Sequence, residues 1–243
     1  MTAQTAATSA LSIDEALLLE EIGFEPRSFV VGSAFYHIGY TLASWTKNEE
    51  MPSLTAAMVH ARALALGKLV AHAASVGADG VVGVELVVDH HGHHAEFLAT
   101  GTAVKARAGD WRVGGQPFTS DLSGQDFWAL VRAGYRPHRL VTGACVYHVA
   151  HQGIGAFFKT VGNNCELEAY TTALYDAREL AMSRLQAEAA ATGATGVVGL
   201  RLTEGSYAWH SHIIELAALG TSIAPTGQPH QHEPILPILT ANR

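Results

Sequence analysis

The chain has 243 residues, of which only 15% are charged, against about a quarter in an average soluble domain, and its formal net charge is −7. This acidic balance, without a Lys/Arg cluster, argues against a nucleic-acid-binding protein. Its two cysteines are too few for a disulfide framework or a cysteine-rich zinc ribbon. Since no apolar run approaches about 18 residues and no signal-peptide pattern is present, we expect a cytoplasmic protein with extensive buried surface.

Three collinear blocks indicate that the sequence is a tandem repeat. Leu11–His37 matches Leu122–His148 at an offset of 111, with nine of 27 residues identical. Ala61–Gly83 matches Ala177–Gly199 at an offset of 116, and EFLATGTAV matches ELAALGTSI at an offset of 119. The offset between the repeats grows from 111 to 116 and then to 119 along the chain, which indicates that the second repeat contains insertions, and insertions are expected in loops. We therefore predict a first unit at 11–108, a Gly-rich linker at 109–121, a second unit at 122–224 and a Pro-rich, extended tail at 225–243.

Each unit is predicted to have the element order α-β-α-β-β. In the first unit, Ser12 and Glu15 form a capping box at the start of a helix, and Gly23 followed by Pro26 is a typical stop signal. A β-branched and aromatic strand comes next, and then a long Ala/Leu-rich helix followed by two further strands. These later elements are predicted over residues 28–37, 53–75, 80–88 and 96–105, and the strand and long helix of the second unit over 139–148 and 166–191.

A β-α-β crossover normally makes its two strands parallel, and the hairpin that follows is antiparallel. If the third strand lies between the first two, all strands pair. The fold class is then α+β, with two tandem units that each contain a three-stranded sheet of order 1-3-2 with a long helix packed on it. The end of the first strand then lies beside the hairpin turn. This places His37 beside residues 90–94, and His148 beside His210 and His212.

Two segments carry the same combination of motifs. ARALALGKLVAHAASVGADGVVGVEL with GTAVKAR lies in the first unit, and ARELAMSRLQAEAAATGATGVVGLRL with GTSI lies in the second. This combination resembles the YbjQ-like heavy-metal-binding family. The resemblance implies a dodecin-subunit-like β-α-β-β fold with strand order 1-3-2, and ring-shaped homo-oligomers that are often pentameric. This chain departs from the family pattern in its two units, its added N-terminal helices and its higher histidine content.

Six of the 14 histidines recur in register between the units. Because strand residues two apart share a face, an H-x-H pair and a histidine from the first strand can converge on one ion. Three imidazoles and a water suit zinc, and nickel or copper also accept nitrogen ligands. The alternative is a polar hairpin whose histidines bond to the backbone. The predicted ligands of this divalent transition metal are His37, His91 and His93 in the first unit, and His148, His210 and His212 in the second.

Four further residues accompany these ligands. Glu96 and Glu215 each follow an H-x-H pair by three residues, and we expect them to support the site or to pack beside it without binding the metal. His90 and His94 have no clear counterparts in the second unit and are predicted to be accessory ligands.

Other residues favour structural roles. Arg62 and Arg178 stand at the same place in the two long helices, where they could bind an anion or, more commonly, form ion pairs with a neighbouring subunit. The GADGVVG segment follows a helix and precedes a strand, the reverse of a phosphate-binding loop. Cys145 is predicted to be a small core residue, and Cys165 precedes a helix that would stabilise its thiolate.

We predict a non-catalytic homo-oligomer, with a pentamer-like ring as one form, that binds transition-metal ions through repeated histidine sites. Two alternatives are a metal-free structural ring scaffold or partner-binding protein, and a small-molecule binder with clefts between the units. No repeated Ser/His/Asp or Cys/His arrangement supports an enzyme. We expect neither nucleic acid nor a membrane as a partner, whereas the apolar segment Ile235–Leu239 in the tail is a candidate docking peptide for a protein.

Overall fold

The computed structural model describes residues 8–37, 47–91, 93–149, 168–206 and 213–227. Its α+β architecture confirms the predicted fold class, with one sheet and one long helix in each of two units. The first unit contains α1 (Ile13–Glu21), β1 (Phe24–His37), β2 (Glu49–Glu50), α2 (Pro52–Ser75), β3 (Gly80–His91) and β4 (His94–Ala106).

The second unit repeats the order of the long elements of the first, whereas β2 has no counterpart among the described residues. The second unit follows a two-residue strand that the linker contributes, β5 (Phe118–Thr119). Its elements are α3 (Gly124–Arg132), β6 (Tyr135–His148), α4 (Glu168–Ala191), β7 (Gly196–Ser206) and β8 (Ile213–Pro225).

The short helices begin and end where the sequence predicts. The Ser12 hydroxyl accepts a hydrogen bond from the Glu15 N–H, and the Glu15 carboxylate accepts one from the Ser12 N–H, which completes the capping box. Both helices stop at glycines with positive φ, 83° at Gly23 and 79° at Gly134, because this left-handed conformation suits a residue without a Cβ.

The strand order in each unit is the predicted 1-3-2. The sheets read β1-β4-β3-β5 and β2-β6-β8-β7, and their long strands are antiparallel to their neighbours. The added short strands were not predicted. β5 extends the first sheet parallel to β3, and β2, from the first unit, extends the second sheet along β6. Each sheet therefore has four strands rather than three.

The long strands extend further than predicted. A bulge between Pro26 and Ser28 lets β1 begin at Phe24, since a bulge accommodates a proline that cannot donate to the ladder. The hairpin of β3 and β4 is also tighter, because only residues 92 and 93 separate the two strands. Residues 90, 91 and 94 therefore lie in strands rather than in the turn.

α2 joins the two units because it packs on both sheets. One apolar cluster contains Ala65 and Leu69 of α2, Phe97 of the first sheet, and Leu140 and Val146 of the second. α4 packs on the other face of the second sheet, in a separate cluster. Among the described helices, α2 alone is long and apolar enough to cross a membrane by length and composition. Its packing against two sheets accounts for that composition.

An aromatic cluster makes a second contact between the units. The Phe118 and Phe127 rings are stacked with centroids 5.6 Å apart, and the Phe24 ring lies edge-on to Phe127 at 5.1 Å. Trp111 of the linker packs against Phe24 at 4.8 Å. The linker is therefore packed against both units near α1 and α3.

Glycines at equivalent positions of β1 and β6 let the long helices approach closely. A Cβ on Gly143 would contact the Ala181 carbonyl oxygen and would lie 2.6 Å from the Leu185 nitrogen. Because backbone atoms cannot move aside, we expect Gly143→Ala to lower the free energy of unfolding by about 1–3 kcal/mol in urea denaturation. Gly67→Ala is the control, since nothing lies within 4 Å of its added Cβ. Wild-type stability in Gly143→Ala would contradict this close approach.

Candidate functional site

One end of the first sheet brings three histidines into a row. His37, His94 and His91 are paired neighbours across β1, β4 and β3, so their side chains lie on the same face. All three are exposed, and the ring centroids of His37 and His94 are 5.1 Å apart. The predicted approach of His37 to the hairpin is found. Its neighbour, however, is His94, which was expected to be an accessory residue.

The other predicted ligands of the first unit lie elsewhere. His93 is in the turn between the strands and is exposed. His90 lies on the opposite face of β3 from His91 and is half-buried, and this burial lowers its pKa. Within the described ranges, no group of three or more His, Cys, Asp or Glu side chains could hold a metal ion. His210 and His212 lie outside the described residues, so their site stays a prediction.

The repeated Tyr-His pair has different surroundings in the two units. His148 is only 6% exposed, and its Nδ1 lies 3.2 Å from the carbonyl oxygen of Lys47, to which a ring N–H can donate. Glu49 of β2 pairs with it along the strand. His37, at the same repeat position, is exposed. The position of His148 fits the alternative of a strand-end histidine bonded to the backbone.

A buried ion pair connects the two units. The Arg62 guanidinium and the Glu215 carboxylate are 2.6 Å apart, and the two side chains are only 6% and 5% exposed. The guanidinium also lies over the Phe97 ring, 5.5 Å from its centroid. Glu215 was expected to support a histidine site, but its ion-pair partner is Arg62. The expected ion pair of Arg62 with a neighbouring subunit is instead made with the second unit of the same chain.

The start of α2 binds the edge of β6 next to this ion pair. The Val146 N–H donates to Thr55 Oγ1 at 2.9 Å, and the Met51 N–H donates to the Val146 carbonyl oxygen at 2.8 Å. Both Val146 and Leu140 are buried against α2. Apolar packing, an ion pair and edge hydrogen bonds therefore all hold the second sheet to α2.

The first sheet carries the counterparts of these residues on the face turned away from α2, which we call the open sheet face. Phe35 stands at the repeat position of Val146 and is 68% exposed, whereas Val146 is fully buried. Glu96 stands at the position of Glu215 and is half-buried. The exposed apolar side chains of this face are Phe29, Val31, Phe35 and Val87.

α4 carries the counterparts of the α2 residues, on what we call the open helix face. Arg178 stands at the repeat position of Arg62 and is exposed, with its guanidinium over the Tyr175 ring at 4.7 Å. Tyr175 is itself 59% exposed. The face consists of Thr171, Tyr175, Arg178 and Met182, which have helical spacing.

Two other features, Cys145 and a cleft between the units, have the properties of core packing rather than of a site. Cys145 is fully buried, and burial raises the pKa of its thiol to about 11, which keeps it protonated and confirms it as a core residue. Cys165 lies outside the described residues. A cleft of about 430 Å³ lies between the units and is lined by Arg62, Leu86 and Leu219 among others. Arg62 is already paired there, so its charge is not free to recognise a small ligand.

Comparisons with known proteins identify the family. A YbjQ family model, described as "Putative heavy-metal-binding", matches residues 38–107 and 135–225. An encapsulin nanocompartment protein of Mycobacterium tuberculosis is 44% identical over 231 residues, which cover 93% of this chain and 88% of that relative. UPF0145 proteins of Shewanella frigidimarina and Fervidobacterium nodosum are 36% and 37% identical over 107 and 86 residues. These segments cover 90% and 76% of the two shorter relatives but only 43% and 35% of this chain. The chain therefore belongs to the YbjQ family, as a tandem duplication of the family unit.

Proposed function

We propose that this protein is a non-catalytic structural subunit that assembles with further copies of itself as a component of a protein nanocompartment. The open sheet face carries this proposal. Phe35 and Val87, which are 68% and 46% exposed, lie on it among other apolar side chains, and contiguous exposed apolar surface of this kind marks protein interaction sites. In the second unit the same face is buried under α2. The open sheet face therefore carries exposed apolar side chains where the second sheet carries buried ones, beside polar residues such as Asp89.

Two further observations support this role. The open sheet face and the open helix face differ, so copies that join them form a directional assembly, which closes into a ring when the rotation between copies permits. The name of the mycobacterial relative, together with its 44% identity, supports a place in an encapsulin nanocompartment. We keep the cytoplasm as the predicted location.

Native mass spectrometry of the full-length, untagged chain tests self-assembly. We expect one discrete species whose mass is an integer multiple of the 25.7 kDa chain. A monomer at micromolar concentration would contradict the proposal. A single native mass at a defined multiple of the chain mass would also give the number of copies in the ring.

The tail is our candidate for contact with other nanocompartment components. Its apolar segment Ile235–Leu239 lies outside the described residues. We expect a chain truncated after Gly227 to keep the number of copies in the assembly but to lose co-purification with the nanocompartment shell. Unchanged co-purification would show that the tail is not the docking segment.

We propose loose transition-metal binding along the exposed histidine row as a second function, favoured by the alignment of His37, His94 and His91 across three strands. The described residues contain no preformed group of three ligands, so water would complete the coordination of an ion held by the His37 and His94 pair. We expect the triple variant with alanine at these positions to bind zinc at least about tenfold more weakly in calorimetric titration. His93→Ala is the matched control, because this exposed histidine lies in the same hairpin but outside the row. Equal zinc affinity in the triple variant and the wild type would exclude the site.

A further inference from the structure

We infer that the open helix face of one copy packs on the open sheet face of the next copy, and that Arg178 forms a buried ion pair there with Glu96 of that next copy. This inference rests on the proposed self-assembly and names the contact that produces it. The template is the contact that α2 makes with the second sheet inside the chain.

The ion pair is the first part of the template. Inside the chain, Arg62 of α2 meets Glu215 of β8 at 2.6 Å. Arg178 follows Arg62 by 116 residues and Glu96 precedes Glu215 by 119, the offsets of their repeat blocks. Both counterparts are therefore present with the right charges. Within the part of the chain that the structure describes, neither Arg178 nor Glu96 forms an ion pair.

The edge hydrogen bond is the second part of the template. Thr55 accepts the N–H of Val146 inside the chain, and the repeat counterparts of these residues are Thr171 and Phe35. Phe35 lies on β1, which is the edge strand of the first sheet. An uncovered strand edge offers unpaired backbone groups for another chain to bind. Docking in the template geometry lets Thr171 accept the Phe35 N–H of the next copy.

The segments that precede α1 and α3 supply a third, separate correspondence. Ser120 of the linker bonds to Thr221 of the second unit and also donates its N–H to the Val81 carbonyl oxygen of the first sheet. Ser9, the repeat counterpart of Ser120, bonds to Thr102 in the same way. Val197 on β7 is the counterpart of Val81. The same docking therefore brings Ser9 of the next copy to the exposed edge of β7.

The charges set the direction of assembly. Each copy offers an arginine at one end and a glutamate at the other, so two identical faces cannot pair without placing like charges together. The contact is therefore head-to-tail. Apolar residues of the open sheet face, chiefly Phe35, surround the ion pair and exclude water from it.

Charge reversal tests the contact. We expect R178E and E96R each to raise the dissociation constant of the assembly about a hundredfold or more, because each places two like charges together in the interface. The double variant E96R/R178E restores opposite charges and should assemble again. E179R is the control, since Glu179 is exposed on another side of α4. Circular dichroism confirms that each variant is folded.

The outcomes separate this inference from the proposed function. Assembly of the wild type and both single variants with equal strength would overturn the ion pair while leaving self-assembly intact. A folded double variant that stays monomeric would also overturn it. A monomeric wild type would overturn the self-assembly on which the inference rests. Loss of assembly in each single variant, together with recovery of assembly in the double variant, would establish the contact.

Discussion

Replacing Arg62 by alanine is expected to lower the free energy of unfolding by about 3–5 kcal/mol, because the Glu215 carboxylate would stay buried without its partner. Only 6% and 5% of these two side chains are exposed, so water cannot replace the lost guanidinium without opening the contact between α2 and the second sheet. Chemical denaturation at neutral pH measures the change.

The control for Arg62→Ala removes both charges together. Arg62→Met/Glu215→Leu fills the same space with apolar groups and should unfold within about 1 kcal/mol of the wild type, since the cost in the single variant comes from an unpaired buried charge. If Arg62→Ala alone were as stable as the wild type, this ion pair would not be the main polar link between the units.

Replacing Phe35 by glutamate is expected to abolish assembly while leaving the fold intact. Phe35 is 68% exposed in the single chain, so a charge there costs little in the monomer. In the proposed contact the same side chain is buried against α4 of a second copy, where an unpaired carboxylate is strongly unfavourable. Sedimentation velocity measures the shift from assembly to monomer.

Val76→Glu is the matched control for this variant. Val76 is also an exposed apolar residue, at 38%, but it follows the end of α2 and lies on neither open face. We expect Val76→Glu to sediment like the wild type. If Phe35→Glu sediments like Val76→Glu and both match the wild-type assembly, the open sheet face is not an interface.

The repeat alignment was sufficient to predict the order of the long elements and their pairing. Gly23 and Gly134 end the first helices as expected, because glycine at positive φ is a local stop signal that depends little on tertiary packing. The 1-3-2 order followed from the need to pair every strand. These features depend on local sequence and simple topology, so a single sequence contains the information for them.

The short strands could not be predicted in this way. β2 and β5 have two residues each and pair with strands already placed by other elements, so no sequence pattern marks them. The histidine row depends on register in the same way. The sequence placed residues 90–94 in the turn, whereas β3 ends at His91 and β4 begins at His94, and such a change in register decides which histidines share a face. His94 therefore replaces His93 beside His37.

The signal for the ion pair was present in the sequence but needed the fold for its interpretation. Arg62 and Arg178 recur, as do Glu96 and Glu215, which indicates two arginine–glutamate pairs. Alignment alone cannot show that the pair forms between units rather than within one. The structure shows this by placing Arg62 of one unit against Glu215 of the other.

In the proposed assembly the open sheet face of one copy binds the open helix face of another, and a mixture of two blocked variants tests this contact most directly. Phe35→Glu blocks the sheet face but keeps the helix face, and Arg178→Glu does the reverse. Native mass spectrometry of the mixture, with one variant isotopically labelled, should show a dimer of twice 25.7 kDa with one copy of each variant, although each variant alone is a monomer. A mixture that contains only monomers, or dimers of a single variant, would contradict head-to-tail assembly.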